Sequence, residues 1–159
     1  MVESTTKTWG NHTFEKVCII RLERDGAGNV REFTPQAQYR NRKGLPLNPY
    51  GHGPFCKFRI PNDQRFAGVY VLTVDQQAIY VGECINLSSR YNKGYGTISP
   101  RNCYSGGQLT NCRINNMVYK ATKAGQQIEL WFCRTDNRKD IESELINTLS
   151  PKWNRQGAG

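Results

Sequence analysis

The sequence predicts an α+β domain preceded by a β and loop extension. Three observations carry that expectation. Residues 68–74 (GVYVLTV) and 78–81 (AIYV) are rich in β-branched and aromatic residues and are separated only by Asp75-Gln76-Gln77, so they read as a hairpin. Residues 128–133 (IELWFC) form a third run of the same kind. Between and after these runs, apolar residues recur at three- and four-residue spacings, which is helical. From residue 68 the order is therefore β-β-α-α-β-α. With 159 residues the chain is long enough for one domain with a real core.

The elements follow in order. Residues 1–14 are polar and read as loosely held. Residues 16–22 (KVCIIRL) read as a strand. Asp25-Gly26-Ala27-Gly28-Asn29 is a turn signal, with residues 30–33 as the returning partner. Residues 36–54 are rich in Pro, Gly and Asn and read as a long irregular segment. Residues 55–60 alternate and read as an edge strand ended by Pro61. After the hairpin, Asn86 is placed to cap a helix that includes Leu87 and Arg90. The glycine-rich stretch that follows reads as an inserted loop, about 92–110. Ile114, Met117, Val118 and Ala121 mark a second helix over about 111–124, ended by Gly125. Ile141, Leu145 and Leu149 mark a last helix, capped by Asp136 or Asn137 and stopped by Pro151. The expected division is 1–65, an extension on the core, and 66–159, the core domain with its insertion.

Charge points to a partner. Twenty-two Lys and Arg against thirteen Asp and Glu give a formal charge of +9, which favours an acidic partner such as nucleic acid over general solvation alone. Arg40, Arg42 and Lys43 interleave with Tyr39 and Tyr50, a composition suited to a phosphate backbone and to bases. Between Arg90 and the third strand, Lys93, Tyr95, Arg101 and Arg113, with Asn102, Gln108, Asn111 and Asn115, are further candidate substrate contacts.

No apolar run approaches the ~20 residues of a membrane span, and residues 1–10 lack the apolar core of a signal peptide. The expectation is a soluble, cytoplasmic protein with no membrane association. The six cysteines form no CxxC pair and read as thiols, with Cys18 and Cys133 as small core residues. A zinc site at Cys103 and Cys112 would need Cys84 or Cys56 at irregular spacing.

Four residues bring chemistry together. Tyr70 and Tyr80 lie on paired strands, and each phenol donates and accepts a hydrogen bond. Gly82 permits close backbone approach or a positive φ where strand passes to helix. Arg90 offers a fork that matches phosphate. Glu142, beside Ile141 on the last helix, offers a hard oxygen ligand suited to Mg²⁺ with several waters. Glu144, between Ser143 and Leu145, reads as an ordinary solvent-side residue. Tyrosines packed as ordinary β-residues are the competing reading.

Gly68-Val69-Tyr70 followed by Tyr80-Val81-Gly82 resembles the paired signature of the GIY-YIG nuclease superfamily. Arg90, Glu142 and Asn154 match the arginine, glutamate and asparagine that follow in that family, so the resemblance covers roughly residues 66–155. It implies a central three-stranded antiparallel sheet flanked by helices. It also implies Mg²⁺- or Mn²⁺-dependent hydrolysis of DNA phosphodiesters, with a stand-alone type II restriction enzyme, which as a homodimer would cut two strands, as the leading role. Repair, mobile-element or single-strand-selective nucleases, or a catalytically weak DNA-binding protein of the same fold, are the alternatives.

By the same resemblance Glu142 holds the metal and Arg90 supports the phosphate. Tyr70 takes a proton from water or relays it, Tyr80 orients that water, and Asn154 orients the site from behind. The chain departs from the family one turn after Arg90. Many relatives carry a histidine or tyrosine there, where this chain has Gly94 and then Tyr95.

Overall fold

The computed structural model describes residues 5–39 and 44–154. They form two compact units. One takes in Met1–Ile20, Ile60–Ser89 and Gln126–Gly159, the other Arg21–Arg59 and Arg90–Gly125. Among the described residues no helix is long and apolar enough to cross a membrane.

The first unit is a five-stranded sheet in the order β1-β2-β5-β3-β4, antiparallel throughout. Its strands are β1 (Thr6–Trp9), β2 (His12–Ile19), β3 (Gly68–Val74), β4 (Gln77–Cys84) and β5 (Ile128–Arg134). The expected three strands are present as β5-β3-β4, but the sheet does not stop there. β2 pairs with the far side of β5 from Glu15↔Phe132 to Ile19↔Glu129, and β1 folds back on β2. The physical reason is that β5 would otherwise present an open row of backbone donors and acceptors. The polar N-terminal residues read as loose are therefore largely a hairpin. Its signal is Gly10-Asn11 set between alternating residues, and Gly10 sits at φ 59°.

Strand alternation gives the sheet two faces. Val69, Val71, Val81, Phe14 and Trp131 lie on one, packed against Ile141 and Leu145 of α3 (Arg138–Leu149). A buried polar chain shares this side: Lys16 Nζ lies 2.7 Å from Glu129, and Trp131 Nε1 donates to Thr73 Oγ1 at 3.2 Å. Tyr70, Tyr80 and Gly82 fall on the opposite face. The register pairs Tyr70 with Gly82 and Leu72 with Tyr80. β4 is an outer strand, so both faces meet at its free edge.

The second unit is built around α2 (Leu109–Lys123), whose buried side chains include Cys112, Ile114, Asn115 and Val118. The expected strands over 30–33 and 55–60 appear only as isolated bridges, Arg24↔Val30, Leu22↔Phe58 and Phe33↔Phe55. Asn115 explains the second of these. It is fully buried, accepts from Cys56 N at 3.0 Å and donates to the carbonyls of Cys56 and Tyr95 at 2.9 and 2.8 Å. At Cys56 a side-chain amide thus takes the place of a neighbouring strand. A short 3₁₀ turn, Pro100–Cys103, starts at Ser99, whose hydroxyl accepts from Asn102 N.

The helix expected after Asn86 is one α-helical turn, α1 (Leu87–Arg90), capped by Asn86 Oδ1 accepting from Ser89 N at 3.0 Å. It passes directly into a π-helical turn over Tyr91–Tyr95, closed by Gly96 N donating to Tyr91 O at 2.7 Å. Gly96 is required there. A Cβ would collide with the carbonyl of Phe58, whose N–H donates to Gly96 O at 3.1 Å. Cys18 and Cys133 are half-buried rather than wholly internal.

Candidate active site

Tyr70 and Tyr80 come together as the hairpin predicts. Tyr70 is wholly buried and Tyr80 nearly so, with ring centroids 6.1 Å apart and planes at 50°. Gly82 makes this possible by close approach. It is directly across from Tyr70, and a Cβ at position 82 would overlap the Tyr70 phenol carbon and oxygen. The Tyr70 hydroxyl therefore lies against the backbone at the end of the YVG run, and no positive φ is involved.

Asn154 is tied to the same strand. Its amide accepts from Val81 N at 2.9 Å and donates to Val81 O at 2.8 Å, while Trp153 N donates to Ile79 O at 2.9 Å. The carboxy-terminal segment so completes the free edge of β4 between Tyr80 and Gly82. Both side-chain functions of Asn154 serve this backbone, and they hold the strand that carries Tyr80.

Glu142 is half-buried on α3 beside Ile141. The helix that carries it packs on the face opposite the tyrosines, and it is anchored to β4 by an ion pair between Arg138 and Glu83. Glu83, next to Gly82, was not singled out from the sequence; its i, i+1 position after the motif is the one available signal. Glu144 pairs with His12 at 3.3 Å on the exposed side. Among the described residues no group of three or more His, Cys, Asp or Glu is placed to hold a metal ion. A single half-buried carboxylate fits Mg²⁺, which keeps waters and takes substrate phosphate oxygens, and does not fit an all-protein cage.

Arg90, Lys93 and Tyr95 belong to the second unit. Arg90 is exposed at the end of α1, its guanidinium carbon 5.2 Å from the Tyr95 ring centroid. Tyr95 is fully buried and meets Tyr91 edge-on at 5.1 Å. Lys93 is exposed. Arg101 donates to the Ser105 carbonyl at 3.0 Å and lies 5.9 Å from the Tyr39 ring, so it braces its own loop.

Arg113 is 5% exposed, on the inner part of α2 rather than on an open surface. Asn115 is wholly spent on backbone and is no surface contact. Arg40, Arg42 and Lys43 lie outside the described residues.

The thiols divide by environment. Burial pushes Cys56 up to about 12 and Cys18 up to about 11. Cys103 and Cys112 share a hydrogen bond that lowers the first thiol and raises the second.

No family model and no curated protein matches the chain. Among solved structures, a mutant of bacteriophage T4 EndoII is similar in its backbone, with a TM-score of 0.49 at 16% identity, over 70% of this chain and 86% of that one.

Proposed function

We propose that this protein is a divalent-metal-dependent DNA phosphodiesterase of the GIY-YIG type. The observation that carries the reading is the Tyr70–Gly82–Tyr80 arrangement. Two separated tripeptides of the signature fold into one constellation, in which the glycine admits the first tyrosine and Asn154 fixes the strand of the second.

Glu142 is the residue that would hold Mg²⁺ or Mn²⁺, which when bound supplies Lewis-acid stabilisation of the phosphate and the leaving oxygen. Tyr70 accepts or relays the proton of the attacking water, and Tyr80 orients that water. An unperturbed phenol has a pKa of about 10 and is a weak base near neutrality, so a neighbouring cation must favour its ionised form or the proton passes through it. Arg90 holds the phosphate. Asn154 is a positioning residue. DNA is the substrate class that the +9 charge suits, and a dimer would allow both strands of a symmetric site to be cut.

The second reading is a DNA-binding protein with weak turnover. Gly94, where relatives place a histidine or tyrosine, favours it.

Purified protein is to be incubated with plasmid, single-stranded and branched DNA, in Mg²⁺ and in chelator, beside Glu142→Ala. Metal-dependent cutting lost in the variant is the expected result. Discrete plasmid fragments would assign a restriction-type role, and cutting confined to single-stranded or branched DNA a repair or mobile-element role. Tight binding without cutting would establish the second reading, and equal cutting by the variant would remove Glu142 from the site.

A further inference from the structure

A groove in the second unit is lined by residues to which the proposed chemistry gives no part. Its volume is about 300 Å³, near the lower end for small-molecule sites and about the size for one nucleotide. One wall is a face of α2, with Arg113, Asn116, Met117 and Lys120 at helical spacing. The other is the loop that carries Tyr50 and His52.

This loop wall is built rather than floppy. Asn48 is 5% exposed; its side chain donates to Asn102 O at 2.6 Å and accepts from Tyr50 N at 2.8 Å. Asn48 N and Gly51 N add backbone bonds of 2.8 and 3.0 Å. Gly51 is packed so closely on the Cys103 carbonyl that a Cβ would overlap it. Asn116 donates to Cys112 O at 3.1 Å and Tyr50 O at 3.4 Å, which joins the two walls.

The chemistry of the lining has one sign. A guanidinium, an ammonium and an imidazole line the groove, and among the described residues no aspartate or glutamate does. The guanidinium is largely withdrawn from water, where its field is screened least. Arg113 Nη1 donates to Met117 Sδ at 3.7 Å within this wall, the exposed Lys120 beside it presents a point charge that suits a phosphate, and Tyr50 offers an aromatic face to an adjoining sugar or base.

We infer that this groove of the second unit binds a backbone phosphate of the DNA strand. The inference rests on DNA being the substrate of the proposed function.

The test is fluorescence anisotropy of the full chain with a short labelled DNA, as single strand and as duplex, in chelator so that no cutting intervenes. Lys120→Gln is compared with Lys123→Gln, which removes the same charge from the same helix outside the groove. Thermal melting confirms that both fold; because Arg113 is buried, its own substitution is not relied on. The expected result is a loss of about fivefold for Lys120→Gln, with the salt slope falling by about 1, and less than about twofold for Lys123→Gln.

Equal losses in the two variants, or none in either, would overturn the groove assignment. Stabilisation of the protein by millimolar inorganic phosphate or by dAMP that depends on Lys120, without Lys120-dependent DNA binding, would assign the groove to a small anion and overturn the strand assignment. Binding in chelator is read apart from cutting. A protein that never cuts but binds through Lys120 keeps the groove and loses the nuclease, and one that cuts without Lys120-dependent binding does the reverse.

Discussion

Gly82 shows how one absent methyl group shapes the candidate site. The sequence offers two reasons for a glycine at that position, a positive φ or close approach, and the structure selects close approach to Tyr70. Gly82→Ala forces the phenol or the strand to move. Overpacking of this kind costs about 1–3 kcal/mol, so urea unfolding should show a loss in that range. An unchanged midpoint would mean that Tyr70 does not lie where described.

Cys56 gives a pH prediction. Burial raises its folded-state value from 9.0 to about 12, partly opposed by a backbone hydrogen bond. A thiol that holds its proton more firmly when folded contributes stability that is fully present below pH 9 and is lost as pH rises from about 9 toward 12. Unfolding midpoints should therefore fall over that window, and less steeply in Cys56→Ala. Parallel pH profiles would contradict this. The apolar runs point to Cys18 and Cys133 as core thiols, whereas Cys56, Cys84, Cys103 and Cys112 are the buried ones, because the fate of a thiol depends on what packs over it.

Asn115 and Asn154 reveal a device that strand propensity does not encode. Each turns both functions of its amide on the N–H and C=O of one residue, Cys56 and Val81 respectively, and so replaces a missing β-partner. The β4 strand and both central helices were legible because apolar periodicity marks them. The segment at 55–60 alternates as a strand should, yet its backbone partners are scattered over Phe33, Glu23 and Gly96, with a side chain at Cys56. Asn115→Ala leaves buried backbone groups unpaired, at about 1–3 kcal/mol each, and should cost roughly 3 kcal/mol in chemical denaturation. Asn154→Ala, at a less buried edge, should cost about 1–2 kcal/mol and lower any cleavage rate through Tyr80. The π-helical turn after Arg90 falls where the sequence reads as loop, since Gly94 and Gly96 signal a break without saying that the helix widens.

The α+β character and the order β-β-α-α-β-α were readable because hairpin, strand and helix periods are local. The size of the sheet was not. Residues 16–19 of β2 do read as a strand, but that β2 joins β5, and that the polar β1 folds back on it, depends on the edge β5 offers, a long-range reason. The site is legible in the same uneven way: Tyr70, Gly82 and Tyr80 are neighbours by hairpin register, and the role of Asn154 in holding Val81 needed the folded chain end. Arg90 and Glu142 rest on the family resemblance and on their places in α1 and α3.

The central claim is that Tyr70 and Glu142 serve one metal-dependent reaction on DNA. Single-turnover cleavage in Mg²⁺ by the native protein, Tyr70→Phe and Glu142→Gln tests it most directly, with folding checked by thermal melting. Tyr70→Phe is expected to fold and to slow cleavage by roughly 10²–10⁴-fold, and Glu142→Gln to fold and show no metal-dependent cleavage. Native rates in either folded variant would contradict it.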